Sequence, residues 1–336
     1  MTDAPGILPC QAIDALIDQG AIGAISAFEA DQIQPASLDL RLGAQAWRVR
    51  ASFLPRVGRA VSERIADVAM HRLDLTAGAV LERGCVYIVE LQERLVLPPS
   101  ISARANPKSS TGRVDVFVRL LTNGQPAFDD VPAGYAGPMY LEIAPQTFSI
   151  LVRAGTRLNQ LRLKRGAPPL LRVKNVGVDL SDGVAGYRAR RHAGVVDMDF
   201  VEGHDPRDYW EPLTARRGEL LLDPGEFYIL ASKDRVEIPV LEAAEMTPID
   251  PSVGEFRVHY AGFFDPGFGT VEAGGEGSRG VLEVRSHETP FLLEDGQTVA
   301  RLVFEPLTER PARLYGVGGS HYQRQGLRLS KHFRAW

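Results

Sequence analysis

The sequence predicts a mainly β chain of two tandem domains, each a barrel or sandwich of short strands, with one short helix at the N terminus. Three observations carry this. The first is an internal repeat: sliding the chain by 141 residues superimposes Leu81 on Leu222, Gly84 on Gly225, Tyr87 on Tyr228, Ile88 on Ile229, Arg94 on Arg235 and Pro98 on Pro239. The same offset continues through Pro107 on Pro248, Leu141 on Leu282, Glu142 on Glu283, Gly155 on Gly296 and Leu161 on Leu302. A period this long, held over roughly eighty residues, marks a repeated domain rather than a short solenoid unit. The second is that the apolar runs are short, β-type and bounded by Gly, Pro, Asn and Asp. The third is composition: 33 Gly and 23 Pro in 336 residues supply the tight turns that many short strands need.

Each element follows in order. Residues 10–20 place Ile13, Leu16 and Ile17 at helical spacing and finish on Gly20, suited to a C-cap. Ser37–Gly43 alternates as a strand and carries an Asp39 that reads as buried. Strands are expected over Val86–Leu91, Met139–Ile143 and Phe148–Val152, then over Phe227–Ala231, Val281–Val284 and Leu302–Phe304. The counterpart of Ser37–Gly43 in the second half is Val178–Leu180 at an offset of 140, with Gly194–Asp197 as the alternative. Gly166-Ala167-Pro168-Pro169 breaks any continuing strand, so the chain divides into residues 1–168 and 169–336. Glu272–Gly280 reads as a flexible loop. Its Gly275, Gly277 and Gly280 spell G-x-G-x-x-G, but a strand follows them where a dinucleotide fold requires a helix.

Composition bounds the function. The 44% hydrophobic and 24% charged shares are those of a globular protein, and no apolar run approaches the ~20 residues that cross a bilayer. No secretory signal begins the chain and its two cysteines are Cys10 and Cys85, so a reducing cytoplasm is the expected location. A net charge of −4 and a pI near 6.0 argue against a general grip on nucleic acid but leave room for a small anionic ligand. The basic clusters Arg188–His192, Arg216-Arg217 and Arg324–Arg334 read as solvated faces. No G-x-x-x-x-G-K-[ST] phosphate loop occurs.

Three stretches carry chemistry. They are Gln34–Gly43, Lys108-Ser109-Ser110-Thr111-Gly112-Arg113, and Ala261-Gly262-Phe263-Phe264-Asp265-Pro266-Gly267-Phe268-Gly269 with Glu283 downstream. Together with the N-terminal helix and the tail His321-Tyr322-Gln323-Arg324-Gln325-Gly326, and in this order, they resemble the dCTP deaminase branch of the dUTPase-like superfamily over nearly the whole chain. The resemblance implies two dUTPase-like distorted β-barrel or jelly-roll domains. In that family the S-S-x-x-R segment of one subunit faces the A-G-F-x-D-P-G-F and Glu segments of a neighbour in a trimer. Here the first half keeps the serines and arginine and reads Asp129–Tyr135 in place of the A-G-F segment, while the second half has the A-G-F segment and reads Ile249–Gly254 in place of Lys108–Arg113. The expectation is one composite site per chain, within or between chains, and a dead reciprocal junction.

The reaction implied is hydrolytic deamination of dCTP to dUTP and ammonia, a hydrolase acting on a cyclic amidine C–N bond in the supply of dTTP precursors. Glu283 is the expected base, favoured over its repeat partner Glu142 because it accompanies the A-G-F segment. Ser109 would hold the water or the tetrahedral centre, and Arg113, Ser110 and Lys108 the phosphate oxygens. The backbone of Ala261, Gly262 and Asp265 would read the pyrimidine edge, Phe263 or Phe264 would pack on the deoxyribose, and Tyr322 and Gln325 would close over the triphosphate. Mg²⁺ would arrive with the phosphates. Zinc is not expected, since the chain has no His-x-Glu and no Cys-x-x-Cys. The expected partners are dCTP and, as a feedback inhibitor, dTTP, in a homo-oligomer that is a trimer or a multiple of one, with no nucleic acid and no membrane. The alternatives are a bifunctional enzyme that continues to dUMP, and a non-catalytic nucleotide-binding regulator.

Overall fold

The structure, a computed structural model, describes residues 4–181, 183–249, 256–258, 262–286, 288–317 and 322–336. It is mainly β. Helix Cys10–Asp18 buries Cys10, Ala12, Ile13 and Leu16 on one face. It closes as the glycine predicts: Gly20 has φ +73°, its N–H donates to Ile17 O at 2.9 Å, and Ala21 N donates to Leu16 O at 2.8 Å.

In the first half, strand Ser37–Val49 changes partner along its length. Leu38 lies opposite Leu161 of strand Arg157–Arg165, whereas Trp47 lies opposite Ile88 of strand Val86–Val96, with a register shift between Leu42 and Ala46. Such a shift bends a strand. The sheet therefore curls from Asp130–Val131 through Ile101–Pro107, Arg157–Arg165, Ser37–Val49, Val86–Val96 and Ala136–Pro145 to Val116–Thr122. Leu38, Leu40 and Leu42 enter the core from one face; from the other, Arg41 makes a buried ion pair with Glu93 at 2.8 Å.

The second half repeats this pairing 141 residues on. Val89 faces Leu141 and Leu230 faces Leu282; Ala103 faces Leu163 and Ala244 faces Phe304; Leu81 faces Ile150 and Leu222 faces Phe291. The counterpart of Ser37–Gly43 is neither segment expected from the sequence. Leu42 N donates to Thr156 O and accepts at its carbonyl from Gly155 N, and Val178 does the same with Gln297 and Gly296. Thr156 and Gln297 are 141 apart, but Leu42 and Val178 only 136, so the counterpart strand is Arg172–Gly177 and Asn175 stands where the first half has Asp39. A longer excursion before strand Gly186–Ala189 then brings Gly186 opposite Leu230, as Ala46 is opposite Val89, which restores an offset of 140. Val196–Asp197, from the other candidate segment, instead adds in parallel to the first-half strand Ile150–Val152.

Two further differences from the sequence reading concern loops. Helix Val61–Val68 was not anticipated; its Val61, Ile65 and Val68 bury against Val49, Ile88, Leu121 and Tyr140. Glu272–Gly280 is ordered rather than a flexible loop. A 3₁₀ turn spans Val271–Ala273, Gly277 N donates to Gly269 O at 2.7 Å, Arg235 holds the carbonyls of Glu276 and Gly277, and a strand begins at Ser278.

The last strand of the first half ends at Arg165 and the next begins at Arg172. One core cluster runs through both halves, with Trp210 fully buried and edge-on to Phe148 at 5.4 Å. Polar contacts also cross: Thr308 N donates to Ile7 O at 2.9 Å, Lys164 pairs with Glu305 at 3.0 Å and Arg104 with Glu245 at 3.6 Å. No helix among the described residues is long and apolar enough to cross a membrane.

Candidate active site

Pro107 ends strand Ile101–Pro107, and the chain turns at once into a single helical turn, Ser109–Gly112. Thr111 and Gly112 donate backbone N–H groups to Lys108 O at 2.8 and 3.0 Å, and Thr111 Oγ1 donates to Leu158 O at 2.9 Å, which rivets the turn to the barrel. Ser110 and Arg113 are buried and Ser109 half-buried.

Against this turn lies Glu283, on the second-half strand Ser278–Ser286. The approach is close: a Cβ on Gly112 would stand 3.1 Å from the Glu283 carboxyl carbon and would press on it. Glu283 is 1% exposed and its Oε2 has no hydrogen-bond partner among the described residues. Burial pushes its pKa up to about 8, with the Asp115 charge adding to the effect and Arg113 opposing it. Gly262, at φ +56°, adjoins the other end of the turn, where a Cβ would stand 3.0 Å from Ser109 Oγ. The serine and arginine set of the first half and the glutamate of the second thus meet inside one chain.

The tail closes over both. Tyr322 lies under the Arg113 guanidinium at 3.9 Å, Arg113 donates to Gln325 Oε1 at 3.0 Å and to Arg328 O at 3.1 Å, and Ser330 Oγ donates to Ser110 O at 2.8 Å. The tail itself is held by the segment after Val196, since Glu202 N donates to Lys331 O and His204 N to His332 O.

These residues line a cavity of about 760 Å³, in the range of small-molecule sites. Lys108, Ser109, Ser110, Arg113, Phe263, Phe264, Asp265, Glu283, Tyr322 and Gln325 all border it, and Gly262 abuts Ser109. Ala261 and His321 lie outside the described residues. Two candidates are committed elsewhere: Lys108 is ion-paired with Asp39, and the Asp265 carboxylate with Arg162 at 3.1 Å. Arg162 in turn stacks 4.0 Å over the Phe263 ring and fixes it.

Glu142, the repeat partner of Glu283, borders no part of the cavity. It lies opposite Ile88 on the face that helix Val61–Val68 covers, where burial, opposed by a hydrogen bond with Ser52, raises its pKa. Sequence reasoning missed Arg157 and Lys331, which also line the cavity. Arg157 is held by Glu29 and Asp31. The Lys331 backbone is bonded to Glu202 and Tyr322, its ammonium has no hydrogen bond or ion pair among the described residues, and burial, together with Lys108, depresses its pKa. Arg157 stands in no motif, and Lys331 belongs to the basic tail Arg324–Arg334 that reads in sequence as a solvated face; the fold instead packs that tail on the cavity and brings the two cations to one wall.

Comparison with known proteins places the chain in a family. The family models for the N-terminal and C-terminal domains of 2'-deoxycytidine 5'-triphosphate deaminase match residues 4–167 and 159–333. A dCTP deaminase of Halorubrum lacusprofundi is 27% identical over 132 residues, 39% of this chain and 62% of that protein, so the match spans somewhat less than two thirds of that relative. A protein of Beutenbergia cavernae named dCTP deaminase, dUMP-forming, is 28% identical over 50% of this chain and 83% of its own length. The crystal structure of 2'-deoxycytidine 5'-triphosphate deaminase from Agrobacterium tumefaciens superimposes with a TM-score of 0.87 at 53% identity, covering 90% of this chain and 99% of that one. With both domain models matched in tandem and the serine–arginine turn facing a buried glutamate, the chain belongs to the dCTP deaminase family.

Proposed function

We propose that the chain hydrolyses dCTP at C4 of the cytosine ring, releasing ammonia and dUTP, at one site built from both halves of the same chain. The observation that carries this reading is the approach of the Glu283 carboxyl to the Ser109–Gly112 turn at the wall of the cavity. Water is a poor nucleophile until a base takes its proton, and a carboxyl whose pKa is raised to about 8 can accept that proton and return it. Glu283 takes one proton as the water oxygen bonds to C4 and delivers it to ring N3. It then takes the hydroxyl proton of the tetrahedral centre and passes it to the exocyclic nitrogen, which leaves as ammonia as the C4–N bond breaks and the C4=O bond forms. Ser109 Oγ, next to both Gly262 and the turn, stabilises the tetrahedral centre.

Arg113 offers the phosphates a planar fork, with Ser110 beside it, and Tyr322 and Gln325 already hold that fork in place. Phe263, stacked under Arg162, fills the space beside the sugar. Among the described residues no three His, Cys, Asp or Glu side chains form a metal-binding group, but Asp39 Oδ1 is buried, unpartnered and borders the cavity. A single hard oxygen suits a Mg²⁺ that keeps its waters and binds mainly to phosphate, where it would neutralise charge. Several relatives are named dUMP-forming, which supports a second reading in which dUTP is carried on to dUMP.

The test is incubation with dCTP and Mg²⁺, assaying ammonia and separating nucleotides by anion exchange in the same tube. Ammonia with accumulating dUTP is the expected result; dUMP and pyrophosphate would establish the second reading. No ammonia, with dUTP also untouched, would leave a nucleotide-binding protein.

A further inference from the structure

The turn and the strand that meet at the cavity are joined again two residues further along each. Asp115 follows Arg113 by two positions, is fully buried, and has φ +56°, a left-handed conformation that is strained for a residue with a side chain. It is held there by Asp115 N donating to Gly112 O at 2.8 Å and Gln146 N donating to Asp115 O at 2.9 Å. Its carboxylate pairs with Arg285, and Thr147 Oγ1 completes the contact, donating to Asp115 Oδ2 at 2.5 Å and accepting from Arg285 Nη2 at 2.8 Å. Arg285 is anchored on its own side by Gly225 O.

Residues two apart on a strand share a face about 7 Å apart, so fixing Arg285 fixes where Glu283 projects. The pair also segregates with the site. In the repeat, the position of Arg285 is Ala144 in the first half and that of Asp115 is Phe256 in the second, so the charge pair occurs once per chain, at the junction that holds the serines, the arginine and the glutamate. Asp115 is fully buried, so a shift of Arg285 away from it would leave its charge uncompensated, and the pair ties the turn to the strand.

We propose that Asp115 and Arg285 are positioning residues for the deamination, setting the register of Glu283 against the Ser109–Arg113 turn; this rests on the reading of Glu283 as the base. A second effect follows from charge. Among the described residues the charged groups that act on Glu283 are Arg113, which favours its ionisation, and Asp115, which disfavours it.

The experiment compares Asp115→Asn, Arg285→Met, the double variant and Arg285→Lys. Asp115→Asn should lower kcat by about ten- to a hundredfold, the scale of a misplacement of about 1 Å, with KM for dCTP little changed. The acid limb of its kcat profile should move to lower pH, since the charge opposing ionisation is gone. Arg285→Met should lose a similar factor, the double variant should be no worse than the worse single, and Arg285→Lys should recover part of the loss. Isotope-edited infrared titration of the Glu283 carboxyl, assigned by difference from Glu283→Gln, reads the second effect without turnover and should also move down in Asp115→Asn. Unchanged kcat and an unchanged carboxyl titration in Asp115→Asn would overturn the proposal, as would a loss that only tracks the melting temperature. A wild-type protein that releases no ammonia while its Glu283 titration still moves would sink the deaminase reading and leave the positioning intact.

Discussion

Glu283 holds a buried carboxyl with one oxygen unpartnered among the described residues, a condition that costs stability and equips the group for proton transfer. With a pKa of about 8 in the folded chain against an ordinary 4.5, the folded state binds more protons than the unfolded state between those values. Stability attached to this group is therefore complete below about pH 4.5 and is lost as the pH rises through about 8. Glu283→Gln should accordingly melt higher than the wild type at pH 8, by on the order of a few kcal/mol, with the gain shrinking toward pH 5 in thermal scans. Activity should run the other way, with kcat rising as Glu283 ionises through pH 7–8 and that limb absent from the Gln variant. The serines, Arg113 and Glu283 were legible because they stand in ordered motifs. Asp115, Arg157 and Lys331 were not, because each takes its role from a partner or a wall supplied by a distant part of the chain.

Two elements decide which glutamate faces the cavity. The turn Ser109–Gly112 brings Gly112 so close to the Glu283 carboxyl that a methyl there would press it aside, so Gly112→Ala should lower kcat by about tenfold to a hundredfold while far-ultraviolet circular dichroism stays unchanged. Helix Val61–Val68 covers the equivalent face of the first half, leaving Glu142 beside Ser52 and Arg119. Glu142→Gln should keep ammonia release within about twofold of wild type while Glu283→Gln loses on the order of a thousandfold or more. Strand positions and pairing were readable because apolar anchors recur at a constant spacing, and the N-terminal helix because its capping glycine is local. The Asp39 counterpart was not readable. A changed connection between Val178 and Gly186 shifts the offset without leaving an apolar marker, and Asn175 could be placed only from its hydrogen-bonded neighbours. Helix Val61–Val68 escaped for a related reason, since its three buried positions lie in an otherwise polar stretch.

The whole molecule brings together in one chain what a composite site needs. Mixing Ser109→Ala chains with Glu283→Gln chains should therefore restore no activity, and specific activity should be independent of dilution; recovery toward a quarter or more on mixing would place the site between chains. The segment after Val196 reinforces this closure, pairing with a first-half strand while its later residues hold the tail. Two contacts across the halves then take on a further meaning. Lys164 and Glu305 are 141 residues apart, as are Arg104 and Glu245, so each pair joins equivalent positions of the repeat. In an assembly of identical subunits, equivalent positions that meet at a symmetry axis carry the same residue, and a charge there confronts its own kind. Here each confronts its opposite. The two halves have become mutually selective mates: a first half set against another first half would oppose lysine to lysine and arginine to arginine, and a second half against its like would crowd its glutamates.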